Sequence, residues 1–287
     1  MRPLKHSVLA LVVAIIGSSA FAPPTLAAAN DPQPNRIRIE YVAPKSPENQ
    51  QIYQIMKERR ALEKMQEIYG AFKLPNELLL RTVECDGVAN AWYQSGRVSL
   101  CYELLNQIWK LMPKETTAEG ITPTDAVAGH FFFVFSHEMG HAMFDMLGVP
   151  VFGGSEDAAD NFATYIILQF GKDDARRLLA AAAYSYKNYL MNPKVTVPVS
   201  AFSDMHSPPP TRFYNMICLA YGADSNLFGD FVTKGYLPEM RAKDCRREYG
   251  EVHYAFNTLI LPHVDKAIAQ KVLHKDWLPE AARPTPR

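Results

Sequence analysis

The stretch FSHEMGH, residues 135–141, lies in the second half of TPTDAVAGHFFFVFSHEMGHAMFDMLG (122–148), and its reading decides the architecture. Thr122, Pro123 and Asp125 have the form of a helix start: a hydroxyl cap, a proline in the first turn and an acid near the positive helix end. Gly148 and Pro150 end the pattern, so a helix is predicted over about 123–147. On it, residues four apart point about 40° from one another, so His137 and His141 can present two imidazoles to one ion, with Glu138 on the flank of that face. Two such neutral histidines bind Zn²⁺, and the glutamate takes a proton from the water that zinc acidifies to a pKa of about 7. The run FFFVF at 131–135 is core, and His130, two turns above the ligand face, is a packing residue.

A catalytic zinc needs a third protein ligand and an open fourth position. Fourteen residues after His141, SEDAAD (155–160) begins another helical pattern, in which Glu156 and Asp160 share a face. Glu156 is the preferred ligand, with Asp160 taking the free ring N–H of a ligand histidine; Asp160 or a later histidine as the ligand is the alternative. Asp157 is turned about 100° away and is the weaker candidate. One zinc per chain is expected. Developing negative charge on a tetrahedral oxygen needs a further donor, and His206 and Arg212 in DMHSPPPTR are the candidates, with Tyr214 third.

HEMGH followed by GGSEDAAD resembles the pattern of zinc peptidases whose third ligand is a glutamate, the thermolysin-like group. More narrowly, LPNELLLRTVEC, NAWY, LCYELL, FSHEMGHAMFDMLGVPVFGGSEDAADNFA, DMHSPPPTRFYNMICLAYG and RAKDCRREY are similar, in order, to a bacterial family of metallopeptidases of otherwise unknown function, over roughly residues 40–265. The resemblance implies a zincin-like fold with His137, His141 and Glu156 as ligands, Glu138 as base and Asp160 as the partner of a ligand histidine. It also likens Asn90, Ala91 and Trp92 to the edge strand on which thermolysin-like enzymes hold substrate backbone; an ordinary hairpin strand is the competing reading. In DMHSPPPTR, three prolines and Thr211 stand where that group has a more polar run.

Around this centre the chain reads as an α+β unit, mostly helical with a small antiparallel sheet. MRPLKHSVLALVVAIIGSSAFAPPTLAAAN has the layout of a cleaved secretory signal (1–28), its apolar run Val8–Ile16 too short to span a bilayer. Residues 29–48 read as a linker or extended lead-in, 49–265 as the metallopeptidase-like domain and 266–287 as a tail. A helical pattern runs from Pro47 to Gly70, strands are predicted at 77–84, 89–93 and 97–103, and further helices at about 102–111, 156–170, 173–191, 208–221 and 245–260.

Of 287 residues, 30 are basic and 30 acidic; losing Arg2 and Lys5 with the leader leaves 28 against 30, which provides no basic field for nucleic acid or anionic membrane. Cys85, Cys101, Cys218 and Cys245 are expected to form disulfides in an oxidising compartment; three pairings are open, and chain proximity favours Cys85 with Cys101 and Cys218 with Cys245. Spent on bridges, the cysteines leave no thiol nucleophile, and no G-x-S-x-G string supports serine chemistry. The expected function is therefore an exported, periplasmic or secreted zinc metallopeptidase acting on peptide or protein substrates. The alternatives are a non-catalytic envelope scaffold on the same fold and hydrolysis of another amide or ester. Oligomeric state is not legible in the sequence.

Overall fold

The computed structural model describes residues 32–186, 190 and 194–278, so the expected leader lies outside the described residues. Four strands form one sheet in the order β1-β2-β4-β3: β1 Ile37–Tyr41, β2 Leu78–Val83, β3 Ala91–Tyr93 and β4 Arg97–Cys101. The chain is mostly helical with this one small sheet among its described residues, the α+β class expected. Ser95 and Gly96 both have positive φ (47° and 76°), the backbone that a two-residue hairpin turn requires, and Gln94 and Arg97 exchange both hydrogen bonds across it. The β3-β4 hairpin is antiparallel as expected, but β1-β2 and β2-β4 are parallel, so the sheet is mixed. Alternating polarity specifies which face of a strand is buried and carries no information about its direction.

β1 lies within the segment read as a linker or lead-in; its Ile37 is buried while Arg38 and Glu40 are exposed, the period of two that marks a strand. The helical pattern after Pro47 is two helices, α1 Pro47–Glu58 and α2 Ala61–Tyr69, separated by Arg60 at φ 51°. Between Met56 and Leu62 there is no apolar residue at helical spacing, only the charged run KERR. Tyr41 of β1 closes the break: its hydroxyl accepts from the Leu62 N–H (2.8 Å) and donates to Glu63 (2.7 Å).

α3 Tyr102–Leu111 leads to α4 Pro123–Met146, which starts as expected, with the Thr122 hydroxyl accepting from the Asp125 N–H at 3.0 Å. Phe132, Phe133, Phe135, Met139, Ala142 and Met143 are buried along it. α5 Ser155–Ile167 and α6 Lys172–Tyr184 pack on α4, and a Cβ at Gly129 would stand 2.5 Å from Ala181 of α6, so the two helices touch backbone to backbone there. α7 Pro209–Ala223 follows, then the single turn α8 Asp230–Thr233 and α9 Glu239–Ala255. α9 begins six residues before the expected Cys245 because Pro238 supplies its entry, and 256–260 continue it as a π turn. The first part of the expected tail is folded: α10 Lys266–Leu273 is followed by Trp277, whose ring N–H donates to Val272 O at 2.9 Å.

Both disulfides join chain neighbours, Cys85–Cys101 and Cys218–Cys245. The first ties the end of β2 to the end of β4; the second ties α7 to α9. With sequence separations of 16 and 27, each closes a loop worth about 3 kcal/mol of unfolded-state entropy. Beside the second bridge, a Cβ on Gly222 would lie 2.1 Å from the Cys245 carbonyl oxygen. Gly222→Ala is expected to force α7 and α9 apart and cost about 1–3 kcal/mol, read as a lower midpoint in thermal unfolding; an unchanged midpoint would show that the two helices separate freely.

Candidate metal centre

α4 and α5 cross where α4 has no side chain: a Cβ on Gly140 would meet the Ala159 Cα at 3.2 Å and Phe162 at 3.3 Å. That approach brings the first turns of α5 against HEMGH. His137 Nε2 lies 3.0 Å from Glu156 Oε2, His141 Nε2 lies 3.2 Å from the same oxygen, and the two imidazole nitrogens are 3.2 Å apart. Ligands at about 2.0–2.1 Å from a tetrahedral Zn²⁺ stand about 3.3 Å from one another, so this triangle has the dimensions of three corners of such a shell.

On the other side of His137, Nδ1 is 2.7 Å from Asp160 Oδ1. An ionised carboxylate only accepts, so Nδ1 carries the proton and Nε2 is left to face Glu156. Arg212, in the first turn of α7, donates Nε to Asp160 Oδ2 at 2.6 Å and Nη2 to Oδ1 at 2.7 Å. Burial opposes a charged imidazole at His137, yet its hydrogen bonds to the Asp160 and Glu156 carboxylates outweigh it and lift its pKa to about 9. The His137 hydrogen bond holds the Glu156 carboxyl down at about 2. Two imidazole nitrogens and a carboxylate oxygen facing one point are a donor set that fits a divalent cation.

Glu138 is buried on the flank of the same face. Burial, with the nearby Glu156 charge, raises its carboxyl to about 6, against the pull of His137 and of a hydrogen bond from the Tyr93 backbone N–H. That bond joins the site to β3, the sheet's edge. Asn90 O accepts from Cys101, and Gln94 pairs with Arg97, so alternation turns the backbone groups of Asn90 and Trp92 to β4 and those of Ala91 and Tyr93 outward. The Tyr93 hydroxyl donates to Asp145 Oδ2 at 2.6 Å, fastening the strand to the last turn of α4.

His206 precedes α7 with its side chain 47% exposed, and its Nε2 sits 2.9 Å from Glu156 Oε2. Ligand atoms of His137, Glu156 and His206 all fall within 4.8 Å of one another, a group able to hold a metal ion. Asp204 receives both the His206 backbone N–H (2.9 Å) and its Nδ1 (3.2 Å), and Asp157 accepts from the Ser207 hydroxyl at 2.9 Å. Asp204 is the residue that sequence reasoning missed, although an acid two residues before a histidine was a local signal; Tyr93 was expected in the edge segment NAWY, but not as a partner of Glu138. His130 stands apart, its ring kept neutral by burial, which lowers its pKa to about 4, helped by the Arg212 charge.

Two histidines and a glutamate converging beside a buried carboxylate and an open strand edge define a metallopeptidase-like centre. Residues 41–260 match, and the chain belongs to, the family described as "Putative metallopeptidase". No curated protein and no solved structure matches it.

Arg212 holds Asp160 by two parallel bonds, a geometry that a lysine cannot reproduce. Arg212→Lys is expected to weaken metal affinity by about 10–100-fold with the helical circular dichroism spectrum preserved. Competition against a chromophoric chelator measures this, and wild-type affinity would show that Asp160 orients His137 without help from the Arg212 fork.

Proposed function

We propose that this protein is an exported zinc metallopeptidase that hydrolyses peptide bonds. The convergence of His137 Nε2, His141 Nε2 and Glu156 Oε2, with Glu138 buried beside them, carries the reading. In it these three side chains hold the ion, and a zinc held there would polarise the scissile carbonyl and acidify water. Glu138 accepts the proton of the attacking water and passes it to the leaving amine; a carboxyl raised by burial is a better base than an exposed one. Asp160, held by Arg212, keeps His137 in the tautomer that offers Nε2. Both bonding nitrogens of Arg212 are spent on Asp160, so in this reading it positions the ligand, and His206 is the donor to the oxyanion. The outward backbone groups of Ala91 pair with an extended substrate as an added strand.

The two bonded cysteine pairs, which belong to an oxidising compartment, support export; no helix among the described residues is long and apolar enough to cross a membrane. The closeness of His206 to Glu156 supports a second reading, in which a fourth protein donor closes the site and the chain is a zinc-bound scaffold. A scaffold has no use for a carboxylate at Glu138.

Glu138→Gln is expected to keep about one zinc per chain by plasma mass spectrometry and to lower peptide hydrolysis by about 10²–10⁴-fold, whereas His141→Ala loses the metal. Full activity in Glu138→Gln would sink the mechanism. His206→Ala separates the two readings: retained zinc with a reduced kcat supports the peptidase, and loss of zinc supports the closed scaffold.

A further inference from the structure

A cavity of about 810 Å³ lies among α1, α2, α3 and the first half of α4, with Trp277 and Leu278 completing its wall. None of the metal-centre residues lines it. Its volume falls in the range of small-molecule sites, about 300–1,000 Å³. Its inner surface is apolar, drawn from buried side chains such as Ile52, Met65, Ile108 and Phe132. Five lining residues ionise, and four of them are cations: Arg59, Lys64, Lys110 and Lys114, against the single acid Glu58. All four cations are exposed, so they stand at the mouth. None of the four is in an ion pair among the described residues. In a chain with equal numbers of acidic and basic residues, this is a local excess of unspent positive charge over an oily interior.

The walls narrow the occupant further. Most of the wall is helix, and none of the lining residues belongs to a strand. An extended peptide inside would bury amide groups without partners, at a cost that an alkyl chain does not meet. The chain's own apolar run Val8–Ile16 is preceded by Arg2, Lys5 and His6, which the cationic mouth would repel. Residues 279–287, PEAARPTPR, are too polar to fill it. An aliphatic chain with an anionic head satisfies both the interior and the mouth.

We infer that this cavity binds a long-chain fatty acid, its alkyl chain between α1, α2, α3 and α4 and its carboxylate at Arg59, Lys64, Lys110 and Lys114. Trp109 and Trp277, two of the three tryptophans, line the cavity, so intrinsic fluorescence reports occupancy. The full chain is titrated with palmitate, hexadecanol and hexadecyltrimethylammonium, each below its micelle-forming concentration. A saturable change with one palmitate per chain is expected, with at least tenfold weaker response to the alcohol and the cation. The exposed double variant Lys110→Glu/Lys114→Glu is expected to lose at least tenfold in palmitate affinity while its metal content stays as in the wild type. Palmitate binding persists after chelation of the metal. Fluorescence unmoved by any amphiphile overturns the inference, as it would if the chain's own residues filled the cavity. Equal binding of all three, unchanged affinity in the charge-reversed variant, or loss of binding on chelation, which would place the carboxylate on the metal, overturns it equally.

Discussion

A buried carboxylate governs the centre of this molecule. Asp160 is almost wholly shielded from water, and an ionised acid in such a place costs several kcal/mol unless it is paired and hydrogen-bonded. Here His137 takes one oxygen and Arg212 spans both, so three elements, α4, α5 and α7, are fixed to one another by the needs of a single charge. Removing Asp160 leaves the buried Arg212 guanidinium without its carboxylate and the His137 Nδ1–H without its acceptor. The positions of Glu156 and of the loop carrying His206 follow from this arrangement, since they leave from the same two helices.

The arrangement also depends on what is missing from α4. Gly140 stands between the two histidines of HEMGH, and the bare backbone there lets α5 approach closely enough for Glu156 to reach both imidazoles. A side chain at that position would move the carboxylate by a few tenths of an ångström or more, a large fraction of the tolerance of a metal shell. Phe133, Phe135, Met139 and Met143 anchor the same helix in the core, so His137 and His141 sit on a firmly packed element.

Much of this was legible in the sequence because it is local. The Thr122 cap, the i,i+4 histidines and the Glu156–Asp160 pair are set by helix geometry, and the structure brings the last two together with His137. Strand direction was not legible, because a period of two reads the same both ways; hence the expected antiparallel sheet is mixed. The strand at 37–41 was hidden by the prolines around it, and the break at Arg60 by an apolar pattern that resumes on the far side. Arg212 was visible as a cation near the site, but its two bonds to Asp160 are a tertiary matter, as is the Tyr93 N–H on Glu138. Backbone groups leave no trace in residue identity.

The Cys85–Cys101 bridge joins the ends of two parallel neighbours, Val83 of β2 being the partner of Cys101. Everything between, including β3, is therefore a closed ring of chain. His137, His141 and Glu156 lie on helices that contain no cysteine, so the covalent ring does not pass through the elements that bring them together. Opening that ring alone would give slack to the segment that presents its edge beside Glu138, whereas opening Cys218–Cys245 would loosen α7, the helix that carries Arg212.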